Sequence, residues 1–300
     1  STKQEQQELL NIVIVGGGAT GIEVAGILSE MKKFVLPNDY PDMPSSLMHI
    51  YLIEAGPRLL AGMSEESSAH AEQFLREMGV NILLNKRVVD YRDHKVVLED
   101  GTEIATRTFI WVSGVTGVTI GNLDASLIGR GGRIKVDSFN RVEGMNNVFA
   151  IGDQCIQLAD ENYPNGHPQL AQVAIQQGEL LAKNLVRMEK GREMKPFHYR
   201  NLGSMATVGR NRAVAEFSKV KMQGWFAWVM WLVVHLRSIL GVRNKVIVLL
   251  NWVWNYFTYD QSMRMIVYAR KAKEIRDREK VEETTHWGKE LVQEEKNPST

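Results

Sequence analysis

The chain has 300 residues, 44% hydrophobic and 24% charged, enough to bury a large core and more than one domain by the usual length. Its 36 Lys and Arg against 35 Asp and Glu leave a net charge of +1, which argues against a nucleic-acid binder with a wholly basic surface. The single cysteine, Cys155, excludes an internal disulfide framework and a Cys-rich metal site, and no apolar run reaches the roughly 18 residues of a spanning helix.

Residues 1–9 are polar and lack the apolar stretch of a secretory signal; they read as a helix tail feeding a strand, as in a chain cut from something longer. Leu10–Val15 (LNIVIV) runs into Gly16-Gly17-Gly18, the pattern of a buried parallel strand. A helix is predicted from Thr20 to Leu36, then a loop over Pro37–Ser46, which holds three prolines. His49–Glu54 predicts a strand and Glu65–Met78 a helix stopped by Gly79. Further strands are expected at Asn81–Leu84, Arg87–Tyr91, Lys95–Glu99 and Thr108–Val112. Such alternation means an open α/β sheet covered on both faces. After a Gly-rich turn at Gly129–Gly132, Asn147–Ile151 predicts a strand ending at Gly152-Asp153, and a long helix is expected from Pro168 to Lys190. Short β segments at Met205–Val208 and Ala213–Phe217 precede a region, 225–257, that holds Trp225, Trp228, Trp231, Trp252 and Trp254. The end, 269–300, is charged and reads as a solvated helix with a frayed tail.

Gly16-x-Gly18-x-x-Gly21 stands where a strand hands over to a helix. The first Gly permits the tight turn, the second lets a pyrophosphate approach the backbone, and the third allows close helix packing. An acid normally follows about 20 residues on, at the end of the second strand. Glu54 holds that place 33 residues after Gly21, the proline-rich loop supplying the extra length. A carboxylate there accepts from both ribose hydroxyls and repels a 2′-phosphate, so NAD(H) is favoured over NADP(H). Glu23 falls in the first turn of the same helix, where the helix dipole alone could account for it.

Asn147–Asp153 (NVFAIGD) is an apolar run ending in Gly-Asp, similar to the flavin-ribityl motif of flavoenzymes with two dinucleotide folds. With it, GGGATGIE (16–23), YLIEAGPRLL (51–60), WVSGV (111–115), AQVAIQQG (171–178) and NLGSMATVGRNRAVAEF (201–217) resemble the type II (alternative) NADH:quinone oxidoreductases over about residues 10–268. The resemblance implies an α/β fold: a Rossmann-like NADH-binding domain, part of an FAD domain and a C-terminal membrane-associating helical region. It implies FAD and NAD(H) as cofactors, hydride transfer from NADH to FAD and two electrons passed to a membrane quinone, without proton pumping. Gly16–Gly21 matches the NADH-binding unit of such enzymes. A further Gly-rich unit for the ADP half of FAD has no counterpart here, so the chain is expected to be a C-terminal portion.

By the same resemblance, Gly16, Gly18 and Gly21 contact the NADH pyrophosphate, Glu54 the adenosine ribose, and Gly114 and Val115 lie near the nicotinamide. Glu23 stands by the nicotinamide–flavin stack. Gly152 and Asp153 serve the ribityl chain, and backbone N–H groups of Val173, Ala174 and Ile175 face the flavin. Gln172 and Gln176, at i and i+4 on one helix face, hold a quinone carbonyl in a tunnel also lined by Met205 and Ala206. From spacing alone the two glutamines read rather as a solvated pair. No metal site is called for, and Cys155 reads as an apolar filler.

Trp225–Leu236 and Val246–Phe257 are each too short to span, and Arg237, Arg243 and Lys245 lie between them. Two short apolar helices with Trp and basic residues describe an interfacial element; a buried helical hairpin in a homodimer contact is the alternative. The expected place is peripheral, on the cytoplasmic face of the cell (inner) membrane. The expected division is 1–9 connecting tail, 10–145 NADH domain, 146–195 part of the FAD domain, 196–268 β segments and membrane helices, and 269–300 tail. Rival readings are a related flavin reductase acting on a disulfide or sulfide, and a non-catalytic NAD(H)-binding module.

Overall fold

Asn11–Val15 (β1) is buried along its whole length, as a run of β-branched side chains at the centre of a sheet should be. In the computed structural model, which describes residues 3–43, 45–118, 120–218 and 220–258, β1 pairs in parallel with His49–Ile53 (β2) and Thr108–Trp111 (β7). Val80–Leu83 (β3) adds to the other side of β2, giving the order β3-β2-β1-β7. Ahead of this sheet, Lys3–Leu10 (α1) is tied to the residue before β7: Arg107 N donates to Glu8 O at 2.7 Å, and its guanidinium meets the Glu8 carboxylate at 3.0 Å.

The two sheet faces are covered by different means. On one, Ile12, Ile14, Ile50 and Leu52 pack with Ile22 and Ala25 of Ala19–Glu30 (α2) and with Ala71 and Leu75 of Glu65–Glu77 (α4). On the other, Val13, Val15 and Ile53 meet Val96, Leu98 and Ile104 from an antiparallel sheet of Val88–Arg92 (β4), Lys95–Leu98 (β5) and Glu103–Ala105 (β6).

Beyond residue 111, Ile134–Val136 (β8) pairs in parallel with Cys155–Gln157 (β9), and Ala171–Glu189 (α5) follows. Ser204–Thr207 (β10), Ala213–Phe217 (β11) and Val220–Gln223 (β12) form an antiparallel meander. Ala206, Val208 and Val214 join the core against α2 and α4, while Ala227 of Gly224–Ser238 (α6) packs on Ala213 and Ala215. The chain divides into two units, 1–245 and 246–300. The described part of the second is helical, the remainder of Val242–Thr258 (α7), with Leu250 and Phe257 exposed. Among the described residues no helix is long and apolar enough to cross a membrane.

Three sequence expectations are corrected. The helix predicted to Leu36 is α-helical to Glu30, widens to a π turn over Met31–Val35, and continues as Leu36–Asp39 (α3) inside the predicted loop. Pro37 is tolerated there because it falls in the first turn, where its missing N–H has no helical partner anyway. Asn147–Ile151 forms no strand: it makes one bridge, Arg141 to Phe149, since a ladder partner is lacking and Gly152 (φ +66°) turns the chain at once. The helix predicted from Pro168 starts at Ala171, because Leu170 is extended and donates its N–H back to Pro168 O at 3.0 Å. The reading of 269–300 as a charged helix lies outside the described residues.

Candidate functional site

The loop from β1 to α2 is built from contacts that exclude side chains. Gly16 has φ +118°, and an added Cβ would press on Val112 O and Ser113 N at the end of β7. A Cβ on Gly21 would collide with Gly16 O, whereas one on Gly18 would meet nothing within 4 Å. Gly18 thus borders open space at the N-terminus of α2, the place where a helix presents its amides and positive dipole end to an anion.

Glu54, just past β2, is fixed beside that loop. Gly17 N donates to Glu54 Oε2 at 2.6 Å and Gly56 N donates to Oε1 at 2.7 Å. Each oxygen keeps a lone pair for a further donor, so ribose hydroxyls fit this carboxylate. Gly114 has φ +87° with open space around it, and Val115 is 57% exposed. These features form a cradle along the C-terminal edge of the parallel sheet, where ligands of doubly wound folds bind. The residues present fit NAD(H).

Glu23 stands on α2 one turn beyond Gly18 and Thr20. Thr207 N approaches its Oε1 at 3.4 Å, the Trp231 indole of α6 hydrogen-bonds it, and the His235 imidazole acts on it electrostatically. Burial outweighs these partners and raises its pKa above the ordinary carboxylate value. A carboxyl so placed can hold a proton at a pH where an exposed glutamate has lost it.

The Gly152-Asp153 turn is held from α5. Gln177, buried, accepts from Gly152 N at 2.6 Å, and Ala174 lies against Gly152 closely enough that a Cβ there would be tight at 3.2 Å. The Asp153 side chain is exposed, with its carbonyl accepting from Gln169 Nε2 at 3.0 Å. One end of FAD, the ribityl chain and ring edge, fits these residues. Among the described residues a second Gly-rich strand–loop–helix for its pyrophosphate is absent. Two expectations on α5 are revised. Val173 and Ala174 N–H donate to Leu170 O at 2.9 and 3.2 Å, and Ile175 lies a further residue inside the helix, so the amides that face a ligand at this helix end are those of Ala171 and Gln172. The Ile175 side chain is 59% exposed.

Gln172 and Gln176 do share a face, and each amide pairs with backbone through one N–H and its oxygen. Gln172 donates to Gly203 O and accepts from Leu202 N, both at 3.0 Å; Gln176 donates to Arg200 O at 2.9 Å and accepts from Arg200 N at 3.1 Å. The pair clamps residues 200–203 to α5 in the manner of an added strand, and each amide keeps a second N–H for a further acceptor. Met205 is half-buried against the Ala213 and Ala215 cluster, and Ala206 is fully buried in the core, which removes its side chain from any open tunnel.

Residues 1–178 match the family model described as pyridine nucleotide-disulphide oxidoreductase. The chain belongs to that family. Residues 201–259 of this family member match a second model, the NDH2 C-terminal domain. The type II NADH:quinone oxidoreductase NdhA of Mycobacterium tuberculosis is 35% identical over 261 residues, 83% of this chain and 54% of the relative. An internal alternative NAD(P)H-ubiquinone oxidoreductase A1, mitochondrial, of Arabidopsis thaliana is 32% identical over 272 residues, 85% and 52% of the two chains. A structure of NDH2 from Plasmodium falciparum in complex with NADH shares the fold, with TM-score 0.77 and 19% identity over 86% of this chain and 68% of that one. The chain spans about half the length of the curated relatives it matches.

Sequence reading missed Gln177, Thr207, Trp231 and His235 at these sites. Gln177 adjoins Gln176 in AQVAIQQG, yet only the helix phase separates a buried glutamine from a clamping one. It missed Glu216 as well, whose carboxylate accepts from Ser64 Oγ at 2.5 Å and Ser67 Oγ at 2.6 Å at the start of α4. A glutamate within the apolar run AVAEF was the available signal.

Proposed function

We propose that this chain supplies the NADH-binding and acceptor-facing parts of a type II NADH:quinone oxidoreductase that does not pump protons. The observation that carries the reading is the Gly16–Gly21 loop with Glu54 fastened to Gly17 beside the open face of Gly18. Gly16, Gly18 and Gly21 receive the NADH pyrophosphate, Glu54 binds the adenosine ribose, and Gly114 and Val115 border the nicotinamide. Gly152 and Asp153 hold the ribityl chain of FAD, with the first amides of α5 at the ring edge and Val173, Ala174 and Ile175 forming the helix behind them. When bound, the flavin supplies a two-electron carrier between nicotinamide and acceptor. Glu23 holds a proton at the same place. Gln172 and Gln176 shape the quinone side by fixing residues 200–203, and Met205 borders it.

The proposed division remains 10–145 for NADH, 146–195 for the C-terminal part of the FAD domain, and 196–268 for the β segments and membrane helices. Trp225 and Phe226 of α6 are exposed, as are Leu240 after it and Val242 at the start of α7, with Arg237, Arg243 and Lys245 adjoining them in sequence, which supports peripheral attachment at the cytoplasmic face of the cell (inner) membrane, alone or as a homodimer. Disulfide chemistry at Cys155 is not supported: the thiol is buried and burial pushes its pKa up, away from the thiolate.

The test is the full-length protein. It should be yellow, NADH should bleach its flavin absorbance under anaerobic conditions, and a short-chain quinone should restore it with steady turnover. Flavin bleached by NADH but reoxidised only by a disulfide would give the chain to the disulfide reductases.

A further inference from the structure

Reduction of a quinone by NADH consumes one proton from solvent for each hydride delivered, since NADH carries two electrons and one proton while the quinol gains two of each. Glu23 is half-buried on α2 with Thr207 of β10 and Trp231 of α6 against its carboxylate, so a proton reaching those oxygens passes groups of these elements. Three groups from the packed elements face it: Thr207 of β10, and Trp231 and His235 of α6. His235 acts on Glu23 electrostatically and is exposed to solvent, while Trp231 and Glu23 are half-buried.

The geometry of the α6 pair is specific. The His235 ring stacks on the Trp231 indole with centroids 3.8 Å apart and planes at 23°. Its Nδ1 lies 2.8 Å from Trp231 O. A carbonyl only accepts, so Nδ1 carries the hydrogen and Nε2 is the atom that gains and loses a proton. The Trp231 indole N–H, a donor only, is engaged with the Glu23 carboxylate. One turn of helix therefore holds a tautomer-fixed imidazole at the surface and the group that orients Glu23 beneath it.

We propose that His235 is the solvent-side proton donor to Glu23, with Trp231 as the positioning residue that aligns the carboxylate. The inference rests on the oxidoreductase reading above. In the step, the Nε2–H bond of the imidazolium breaks and an O–H bond forms on Glu23, directly or through one water. The proton on Glu23 then goes to the reduced acceptor, and His235 takes its replacement from bulk solvent. No electrons move in either transfer.

His235→Gln, on an exposed helix position, should fold normally. In the full-length, flavin-loaded enzyme it should leave the rate of flavin bleaching by NADH unchanged, lower quinone-dependent kcat about tenfold, and raise the solvent deuterium isotope effect. Added imidazole should restore the rate. Trp231→Phe keeps an aromatic surface for His235 but removes the indole donor; it should lower kcat without altering KM for NADH. A readout independent of turnover is the infrared carbonyl band of protonated Glu23, which should shift in Trp231→Phe as the indole hydrogen bond is lost. Turnover, isotope effect and infrared band all unmoved, in an enzyme whose wild type oxidises NADH with quinone, would overturn the relay. A wild type with no NADH oxidation overturns the functional reading instead.

Discussion

Glu54 and Gly17 lie 37 positions apart and meet through a 2.6 Å hydrogen bond from the Gly17 amide to Glu54 Oε2. That bond sets the carboxylate against the glycine loop in advance of any ligand, beside the place proposed for the ribose. Glu54→Gln keeps the size and one acceptor but removes the charge. A lost charge-assisted bond is worth roughly 1.5 kcal/mol or more, so the NADPH to NADH ratio of kcat/KM should rise about tenfold. An unchanged ratio would remove Glu54 from coenzyme choice.

Two of the motif glycines should fail differently. Gly18 has ordinary φ (−75°) and open space around a Cβ, so Gly18→Ala should keep its Tm while NADH affinity by calorimetry falls. Gly21→Ala drives a methyl into the Gly16 carbonyl and should lose both. If Gly18→Ala binds NADH as the wild type does, the pyrophosphate does not approach that backbone.

Gln177→Leu replaces the acceptor of Gly152 N with a methyl group of similar bulk. An unsatisfied buried amide costs about 1–3 kcal/mol, so the unfolding free energy should drop by that amount, read as a lower urea midpoint at unchanged slope. The same change should weaken flavin retention, because the Gly152-Asp153 turn loses its anchor. Gln176→Ala, which severs only the Arg200 bonds on an exposed face, should cost less.

Asp160 and His167 form a buried pair at 3.0 Å, both nearly inaccessible. The His167 hydrogen bond, first among the causes, holds the Asp160 pKa below its ordinary 3.8. A depressed carboxylate adds stability that is fully present above the unfolded value and is lost as pH falls through the folded one. Asp160→Asn should therefore lower Tm at pH 7, and the gap from wild type should close only below about pH 4, where the unfolded aspartate protonates. A gap that stays constant to pH 2 would mean the pair contributes packing alone.

Reversal of charge at Arg237, Arg243 and Lys245 together should release the full-length protein from anionic vesicles. Each basic residue near such a surface contributes roughly 1 kcal/mol, screened by salt. Sedimentation with vesicles unchanged in the triple variant would assign the exposed apolar residues around these cations to a protein contact.

The sequence by itself determined the parallel sheet, because β1 and β2 announce their burial in continuous apolar runs closed by glycine and glutamate, and the nucleotide loop, because its spacing leaves few other uses for three glycines. These are local signals: each residue's role depends on neighbours within one turn or one strand. The fate of Asn147–Ile151 was not local, since an apolar run becomes a strand only where a partner backbone accepts it, and here one bridge is all it finds. The tertiary structure also decided what the glutamines of α5 do. Spacing placed Gln172 and Gln176 on one face, but only the approach of residues 200–203 turned them into backbone clamps and left Gln177 to hold Gly152. The surroundings of Glu23 were equally hidden, because Thr207, Trp231 and His235 come from about 180 to 210 residues away. A carboxyl's proton affinity is set by the burial and dipoles around it, and those exist only once β10 and α6 have packed against α2.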